Sequence, residues 1–208
     1  MPRITQEESE ARREEIVDSC ERLYASLSYR DITMTQIAAG VSFGRANMYN
    51  YFRCVDEVLL ALLQREHARW AAALEELADR CEGMADAEFA QALAHTVEQR
   101  TTMLKMLAMN LYDMEQNSRL ERLVEFKRTY AQTLAALRRV IRTAKPAWSE
   151  ERVSAFVFVF MPFLHGAYPY AHHTEKQEEA MREAGVDAYS QGLFEIVRSC
   201  VFFLLQGE

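Results

Sequence analysis

The chain has 208 residues, which is enough to bury a substantial core and allows one or two domains. Half of the residues are hydrophobic, and seven Gly and four Pro are few for a strand-rich protein, so the composition favours an all-α fold. The formal net charge of −7 argues against a strongly basic nucleic-acid binder.

The N-terminal part of the chain predicts three helices. Thr5 and Glu8 have the spacing of a capping box, and an apolar stripe behind them indicates the first helix. Thr33 and Gln36 form a second capping box, and a tight turn over 40–44 follows. A longer helix followed by two short helices around a Gly-containing turn is the layout of a helix-turn-helix unit. The predicted helices cover about 6–27, 33–40 and 45–53.

Six longer helices are predicted after this unit, which gives about nine in all. Pro146 ends the seventh helix, and the charged stretch 173–185 is predicted to be a mobile connection. The six begin at about Asp56, Asp86, Thr101, Ser118, Ser149 and residue 187; the sixth helix of the chain ends near Met114 and the last near residue 206. We therefore predict a helix-turn-helix domain over 1–55 and a helical-bundle domain for ligand binding and dimerisation over 56–208.

Catalytic and metal sites are not evident. The four Cys are scattered without His partners at metal-ligand spacing and are interpreted as free thiols of a reducing cytoplasm. His172 and His173 are adjacent and would point about 100° apart on a helix, so they do not suit one ion. No nucleophile with a base, paired acids or phosphate loop is present. We predict no enzyme activity, no cofactor and no metal.

The termini and apolar runs favour a cytoplasmic protein. The N-terminus is polar and acidic, unlike a signal peptide. The longest apolar run, 155–164, is about half as long as the roughly 20 residues that a membrane span needs. We therefore expect no membrane partner.

Charge is distributed unevenly along the chain. Residues 1–55 contain seven Arg and no Lys against eight acidic residues, a net −1, so the remainder carries −6. Five Glu crowd the start of the first helix, where they suit the positive end of the helix dipole and can point away from DNA. The acidity weakens a DNA-binding hypothesis without excluding it.

The third helix has one apolar and one polar face. On a wheel of 100° per residue, Met48 and Phe52 share a face with Gly44. Amide side chains suit the adenine edge, Arg suits guanine, and hydroxyls suit phosphate oxygens, so the opposite face has the chemistry for a major groove. The wheel alone leaves open a small surface helix with ordinary polar residues. The outward and flanking residues are Ala46, Asn47, Tyr49, Asn50 and Arg53.

Two motifs in this region resemble the N-terminal domain of the tetracycline-repressor (TetR) family. They are Thr-Met-Thr-Gln-Ile-Ala over 33–38 and Asn-Met-Tyr-Asn-Tyr-Phe over 47–52, and Ile37 precedes Tyr49 by the family's twelve residues. The resemblance implies base readers at Thr35, Arg45, Asn47 and Asn50, and phosphate contacts at Thr33, Tyr49 and Tyr51. With Ala46 on the same face, the predicted DNA-binding set is Thr33, Thr35, Arg45, Ala46, Asn47, Tyr49, Asn50 and Tyr51.

The chain departs from the family pattern at two positions. Gly44 stands where a Ser normally caps the third helix, although Gly is an acceptable cap. Val55 stands where the family usually has a phosphate-contacting Lys, so one backbone contact is in doubt. Tyr51 has an alternative interpretation as a core residue beside Phe52.

The last two predicted helices carry more apolar residues than one face can hold. The stretch 155–161 is apolar all round, so it must be covered on two sides, by its own domain and by a partner subunit. A strand over 156–160 is the alternative, but no strand partners exist elsewhere. TetR-family members resemble this in pairing their last helices as a four-helix bundle. The predicted dimer interface is Phe156, Phe160, Phe194, Val197, Val201 and Phe202.

Met and aromatic residues in the larger domain could line a pocket for an apolar ligand. The alternative for each of them is plain core packing, and the pocket rests mainly on the family resemblance. Pro162, Gly166 and Pro169 are expected to kink or break the eighth helix and open space. The predicted pocket residues are Met103, Met106, Met109, Tyr112, Phe126, Tyr130, Phe163, His165 and Tyr168.

The function that these features predict is a ligand-responsive transcriptional regulator. A homodimer would bind a palindromic double-stranded DNA operator, in the family's usual role as a repressor, and a small molecule would release it. Two alternatives stay open. One is a helical small-molecule-binding protein whose DNA binding is weakened or lost, which Val55 and the acidic balance favour. The other is a helical enzyme without a recognisable catalytic site.

Overall fold

The computed structural model describes residues 5–186 and 191–207, and these contain eleven α-helices, one 3-10 helix and no strand. The predicted all-α fold is confirmed. The α-helices are α1 (Gln6–Tyr24), α2 (Met34–Ala39), α3 (Arg45–Met48), α4 (Val55–Ala78), α5 (Asp86–Glu98), α6 (Thr101–Met109), α7 (Leu111–Asn117), α8 (Leu120–Ala144), α9 (Glu150–Ala171), α10 (Glu175–Glu183) and α11 (Leu193–Gln206); the 3-10 helix is Tyr29–Asp31.

The helices form two compact units. The first contains the chain up to Arg65 together with Asn110–Thr129, and the second contains Glu66–Met109 and the chain from Tyr130 onward. Helices α4 and α8 each contribute residues to both units. The predicted domain boundary at residue 55 falls inside the first unit, because the first turns of α4 and α8 belong to it.

Both predicted capping boxes are present in the first unit. The Glu8 backbone N–H donates to Thr5 Oγ1 at 3.1 Å, and the Thr5 N–H donates to Glu8 Oε2 at 2.9 Å. The same exchange joins Gln36 to Thr33, at 3.2 and 2.8 Å. These bonds satisfy N–H groups that a helix start otherwise leaves without partners, so α1 and α2 begin where the sequence predicts.

The apolar stripe of α1 faces the core of the first unit. Ile16, Cys20 and Tyr24 are buried as predicted, and Leu23 and Leu27 are half-buried. The α-helix ends at Tyr24 rather than near residue 27, and Leu23 accepts from the Leu27 N–H at 2.8 Å in a closing turn. Periodicity therefore located the buried face correctly.

The second unit is built around α5, α6, α9 and α11. Helix α11 packs against α5 and α9, and α6 packs against α9. Trp70 of α4 is fully buried, and its indole N–H donates to Thr96 Oγ1 at 3.0 Å. The Thr96 hydroxyl in turn donates to the carbonyl of Leu93 at 2.8 Å, so the buried polar atoms of this pair have partners.

Two stretches differ from the predicted helices. The predicted sixth helix is interrupted at Asn110, whose side chain accepts a hydrogen bond from the Tyr24 hydroxyl at 3.1 Å. The stretch 173–185, predicted to be mobile, contains α10, which begins at a capping box of Thr174 and Gln177. No residue of α10 is buried, so it has no core-facing apolar stripe that periodicity could detect.

Helix α9 runs unbroken through Pro162 and Pro169, so the predicted break does not occur. Both prolines are exposed, where water can satisfy the carbonyls that lose their N–H donors. Within the described ranges, α9 is the one helix long and apolar enough to meet the composition test for a membrane span. A core helix passes the same test, and one face of α9 is buried in the second unit; its buried residues are Val153, Phe156, Val157, Phe160, Met161, Leu164 and Ala167.

The predicted start of the last helix lies partly outside the described residues. That prediction placed the start at about 187, and residues 187–190 are not described. The described helix begins at Leu193, with Gly192 as its N-cap residue, and ends at Gln206 as predicted.

Candidate nucleic-acid interface

Helices α1 and α2 approach each other closely. The buried Ser19 hydroxyl donates to the carbonyl of Ile37 at 2.9 Å, and Arg22 Nη2 donates to the carbonyl of Gly40 at 3.3 Å. A Cβ atom built at Gly40 would lie 2.2 Å from Ser19 Oγ. Glycine at this position therefore permits the short distance between the two helices.

The turn between α2 and α3 is also held by α1. Ser42 Oγ donates to Glu15 Oε2 at 2.9 Å, and the Ser42 backbone N–H donates to the same carboxylate. The Arg12 guanidinium lies 5.2 Å from the centre of the Phe43 ring. Gly44 is the N-cap residue of α3 and supplies no side-chain hydrogen bond, so the cap position predicted from the sequence is confirmed.

We call residues 45–52 the recognition segment. It begins as α3 and continues past Met48 as tight turns, in which the Tyr51 and Phe52 N–H groups donate to the Met48 carbonyl at 2.9 and 3.0 Å. The α-helix is thus shorter than the predicted 45–53. Met48 and Phe52 are fully buried, while the opposite face is exposed, as the wheel predicted; it carries Ala46, Asn47, Tyr49 and Asn50. Arg45 is exposed as well.

The exposed polar groups differ in how free they are to meet DNA. Asn47 and Asn50 project from the exposed face of the segment. Arg45 Nη2 donates to the Tyr49 hydroxyl at 3.2 Å, so these two side chains lie side by side. In α2, Thr35 is exposed, whereas the Thr33 hydroxyl is occupied by its cap, with Gln36 Oε1 at 2.7 Å. A phosphate contact by Thr33 would have to compete with that bond.

Tyr51 is half-buried, in keeping with both of its interpretations. Its ring lies 6.2 Å from that of Phe43, at an interplanar angle of 51°, which is an ordinary aromatic packing distance. The side chain therefore helps to fasten the turn to the recognition segment. Its role as a phosphate contact stays a prediction.

A buried ion pair holds the end of the recognition segment, and no local pattern in the amino-acid sequence indicates it. The Glu57 side chain is 1% exposed; Arg119 Nε lies 2.5 Å from Glu57 Oε1, and Nη2 lies 2.7 Å from Oε2. The Arg53 N–H donates to Glu57 Oε2 at 2.7 Å, and Arg119 Nη2 donates to the carbonyl of Tyr51 at 3.3 Å. The two side chains are 62 positions apart in the chain, beyond the reach of any spacing rule.

The hydrogen bonds also determine the charge of Glu57. Burial would raise the pKa of this carboxyl, but donors from the Arg119 side chain and from the Arg53 and Arg119 backbone outweigh it and lower the pKa to about 2. Glu57 is therefore ionised at neutral pH, and Arg119 has a fixed anion to bind.

Several carboxylates of α1 are paired within the first unit. Arg65 of α4, whose side chain is 14% exposed, lies 2.6 Å from Glu14, 2.6 Å from Asp18 and 2.9 Å from Glu21. Glu15 is bound by Ser42, as described above. Some of the acidic residues of the N-terminal part are thus neutralised by internal partners. The negative net charge is therefore a weaker argument against DNA binding.

Comparisons with known proteins agree with this architecture. A protein of unknown function from Rhodococcus sp. RHA1 matches with a TM-score of 0.63 and 18% identity, over 94% of each chain. The fatty acid degradation regulator FadR from Bacillus halodurans matches with a TM-score of 0.61 and 14% identity, over 93% of this chain and 94% of that one. At these identities the likeness concerns the fold alone.

Sequence comparison decides the family. The HTH-type transcriptional repressor Rv1474c of Mycobacterium tuberculosis (strain ATCC 25618 / H37Rv) is 28% identical over 72 residues. These residues span 35% of this chain and only 38% of that relative's length. The family model for the tetracyclin repressor-like C-terminal domain matches residues 64–208. The chain belongs to the TetR family. The N-terminal motifs lie outside the matched range, so two parts of the chain indicate the same family.

The predicted pocket residues of this TetR-family regulator lie in different surroundings. Met109 is 61% exposed and Tyr112 79% exposed, while Met103, Met106 and Phe126 are buried in the cores of their units. The His165 and Tyr168 side chains are half-buried. Plain packing or solvent exposure is what the structure shows for these seven, and their ligand contacts stay predictions.

Two of the nine pocket residues line open grooves of the second unit. Tyr130 lines a groove of about 740 Å³ between α8 and α9, here called the α8/α9 groove. Phe163 lines a groove of about 490 Å³, the α9/α11 groove. The other lining residues of the first are Leu134, Arg138, Glu151, Ser154, Ala155, Val157, Phe158, Met161 and Pro162; those of the second are Pro162, Gly166, Ala167, Tyr170, Gln191 and Ile196.

The predicted dimer residues of the regulator divide into buried and accessible ones. Phe156, Phe160, Val197 and Val201 are buried within the chain's own second unit, and their contact with a partner stays a prediction. Phe194 is half-buried against His95 and Phe202 is partly exposed. Besides Phe202, the apolar side chains that α9 and α11 expose include Phe158, Val159 and Phe203.

Proposed function

We propose that this TetR-family transcriptional regulator is a repressor that binds a palindromic operator as a homodimer and is released by a small molecule. The carrying observation is the recognition segment, whose Asn47 and Asn50 amides are exposed while Met48 and Phe52 are fully buried. A short helix anchored on one side and polar on the other can enter a major groove without unfolding its own support.

The side chains of the segment match the chemistry of base edges. An Asn amide can bind adenine through two hydrogen bonds, because its oxygen accepts from the N6 amino group while its nitrogen donates to N7. Arg45 can bind guanine, with the Tyr49 hydroxyl 3.2 Å away to orient its guanidinium. Thr35 on α2 is exposed and supplies a further hydroxyl. These groups form the proposed base-reading surface.

Exposed apolar surface on α9 and α11 supports the dimer. Phe158 is 79% exposed and Phe203 is 74% exposed, and aromatic side chains at such exposure are typical of protein interfaces. Pairing of two chains would present two recognition segments to successive major grooves, about 34 to 36 Å apart on the operator.

The α8/α9 groove supports an effector site. Its walls are mostly apolar, with Tyr130, Arg138 and Glu151 as polar groups, a composition that suits an amphipathic molecule. An effector releases DNA only if it binds one conformation of the regulator better than the other. We place the protein in the cytoplasm, where operator and effector are both accessible, and propose no cofactor or catalytic role.

Selection of genomic fragments by the purified protein tests DNA binding. We expect a recurrent palindrome, and we expect Asn50→Ala to weaken binding to it by about 1 to 3 kcal/mol and to relax one operator position. Gln91→Ala removes an exposed amide from α5 of the second unit and should leave affinity unchanged. An equal loss on selected and random DNA would reject base reading by Asn50.

Absence of any recurrent sequence, even in low salt, would instead favour the helical small-molecule-binding protein without DNA-binding function. A thermal-shift screen of apolar and amphipathic compounds tests the effector, since a bound ligand raises the unfolding midpoint. Ser154→Trp should abolish a hit that binds in the α8/α9 groove, whereas Gly166→Trp should abolish one that binds in the α9/α11 groove.

A further inference from the structure

Arg119 lies outside the predicted helix-turn-helix domain, yet it contacts the end of the recognition segment. Its guanidinium bonds to both oxygens of Glu57, at 2.5 and 2.7 Å, and donates through Nη2 to the carbonyl of Tyr51 at 3.3 Å. Tyr51 is the residue directly after Asn50, so this bond acts on the backbone that carries the base-reading amide.

Glu57 makes the arrangement rigid from the other side. One of its oxygens accepts from the Arg53 N–H at 2.7 Å, and the other accepts from the Arg119 N–H at 3.2 Å, at the start of α8. The carboxylate thus joins the chain that leaves the recognition segment to the N-terminal end of α8, where a negative charge suits the helix dipole. Charge-assisted bonds in a bidentate pair define geometry more strictly than neutral ones.

A second contact joins the same two stretches. Cys54 Sγ lies 3.7 Å from the carbonyl oxygen of Asn117, the last residue of α7. The segment 117–119 therefore runs alongside 51–57, so the Arg119 contact with Tyr51 is part of a longer contact between these two stretches.

We propose that Arg119 is a positioning residue for DNA recognition: paired with Glu57, it holds the Tyr51 carbonyl and so sets the orientation of Asn47 and Asn50. The inference rests on the proposed DNA-binding function. Arg119 directly precedes α8, and Tyr130, Leu134 and Arg138 of that helix line the α8/α9 groove.

Four variants test the inference, namely Arg119→Gln, Arg119→Lys, Glu57→Gln and the double variant Glu57→Gln/Arg119→Gln. Arg122→Gln is the matched control, because it removes an Arg one turn further along α8 whose partner is Glu125 rather than Glu57. Operator affinity is measured at a temperature well below the unfolding midpoint of each variant. Circular dichroism establishes that the variant is folded.

We expect Arg119→Gln to weaken operator binding about tenfold or more. Arg119→Lys keeps the charge but loses the bidentate hydrogen bonds of the guanidinium, so it should weaken binding less. The double variant should lose about as much as Arg119→Gln alone, because the pair acts as one unit. Hydrogen exchange should become faster at the Tyr51 and Phe52 amides and stay unchanged in α2. Arg122→Gln should bind like the wild type.

Wild-type operator affinity in a folded Arg119→Gln variant would overturn the inference, as would an equal loss in Arg122→Gln. If the wild type selects no operator, the proposed function fails. Hydrogen exchange at the Tyr51 and Phe52 amides still tests whether Arg119 holds the recognition segment. Unchanged exchange in Arg119→Gln would then show that Arg119 does not hold the segment.

Discussion

The Ser19 hydroxyl donates to the Ile37 carbonyl at 2.9 Å, and this buried bond defines how closely α1 and α2 can pack. The bond requires the empty side of Gly40, because any Cβ there would meet Ser19 Oγ at 2.2 Å. The position of the recognition segment therefore depends on a glycine that lies outside it.

Gly40→Ala should destabilise the protein by about 1 to 3 kcal/mol, because the buried Ser19 hydroxyl must rotate away and lose its bond to the Ile37 carbonyl. Urea unfolding followed by circular dichroism measures the change. Gly166→Ala is the matched substitution in α9, where nothing lies within 4 Å of the new Cβ, and it should instead stabilise by roughly 0.5 to 1 kcal/mol. A free energy of unfolding that Gly40→Ala leaves unchanged or raises would contradict this view of the helix contact.

The Glu57–Arg119 pair should make stability depend on acid pH. The pKa of Glu57 is lowered to about 2 in the folded chain, so its contribution is complete above the ordinary pKa of a free Glu and is lost as pH falls towards 2. Full protonation of Glu57 lowers the free energy of unfolding by up to about 3 kcal/mol. Unfolding free energies measured between pH 6 and pH 3 should fall more steeply for the wild type than for Glu57→Gln. If the free energies of unfolding of the wild type and of Glu57→Gln fall in parallel with pH, the lowered pKa of Glu57 is refuted.

DNA binding should depend only weakly on salt, because the first 55 residues contain no Lys and each phosphate contact adds about 0.9 to the log-log slope. Val55→Lys should restore one contact, steepen the slope by about 0.9 and tighten binding in low salt. Fluorescence anisotropy on the selected operator at several salt concentrations measures both. Val55→Gln adds length without charge and should keep the wild-type slope; the same change in both variants would exclude a phosphate contact.

Phe158→Glu should convert a dimer to a monomer, since it places a charge on an exposed apolar side chain of the proposed interface. Analytical ultracentrifugation gives the mass, and circular dichroism shows whether the fold persists. Tyr112→Glu is the matched control, because Tyr112 is equally exposed, at 79%, but lies in the first unit. A dimeric Phe158→Glu variant would place the interface elsewhere.

Local patterns were sufficient where the determining groups lie within a few residues of one another. Capping boxes at Thr5 and Thr33 locate two helix starts, and the spacing of Met48 and Phe52 identifies the buried side of the recognition segment. The interruption of the predicted sixth helix at Asn110 has no such local signal. The Asn110 side chain accepts from Tyr24 of α1, and periodicity cannot indicate a bond between distant parts of the chain.

The amino-acid sequence by itself determined the helical class, the recognition face and the family motifs, because these depend on short-range spacing. Tertiary structure decided which side of α9 is free: that helix is apolar all round, so only packing could bury Phe156 and Phe160 and leave Phe158 exposed. It also decided the partner of Glu57. A buried carboxylate must find a cation, but which of the 24 Lys and Arg reaches it depends on how chain segments 62 residues apart come together.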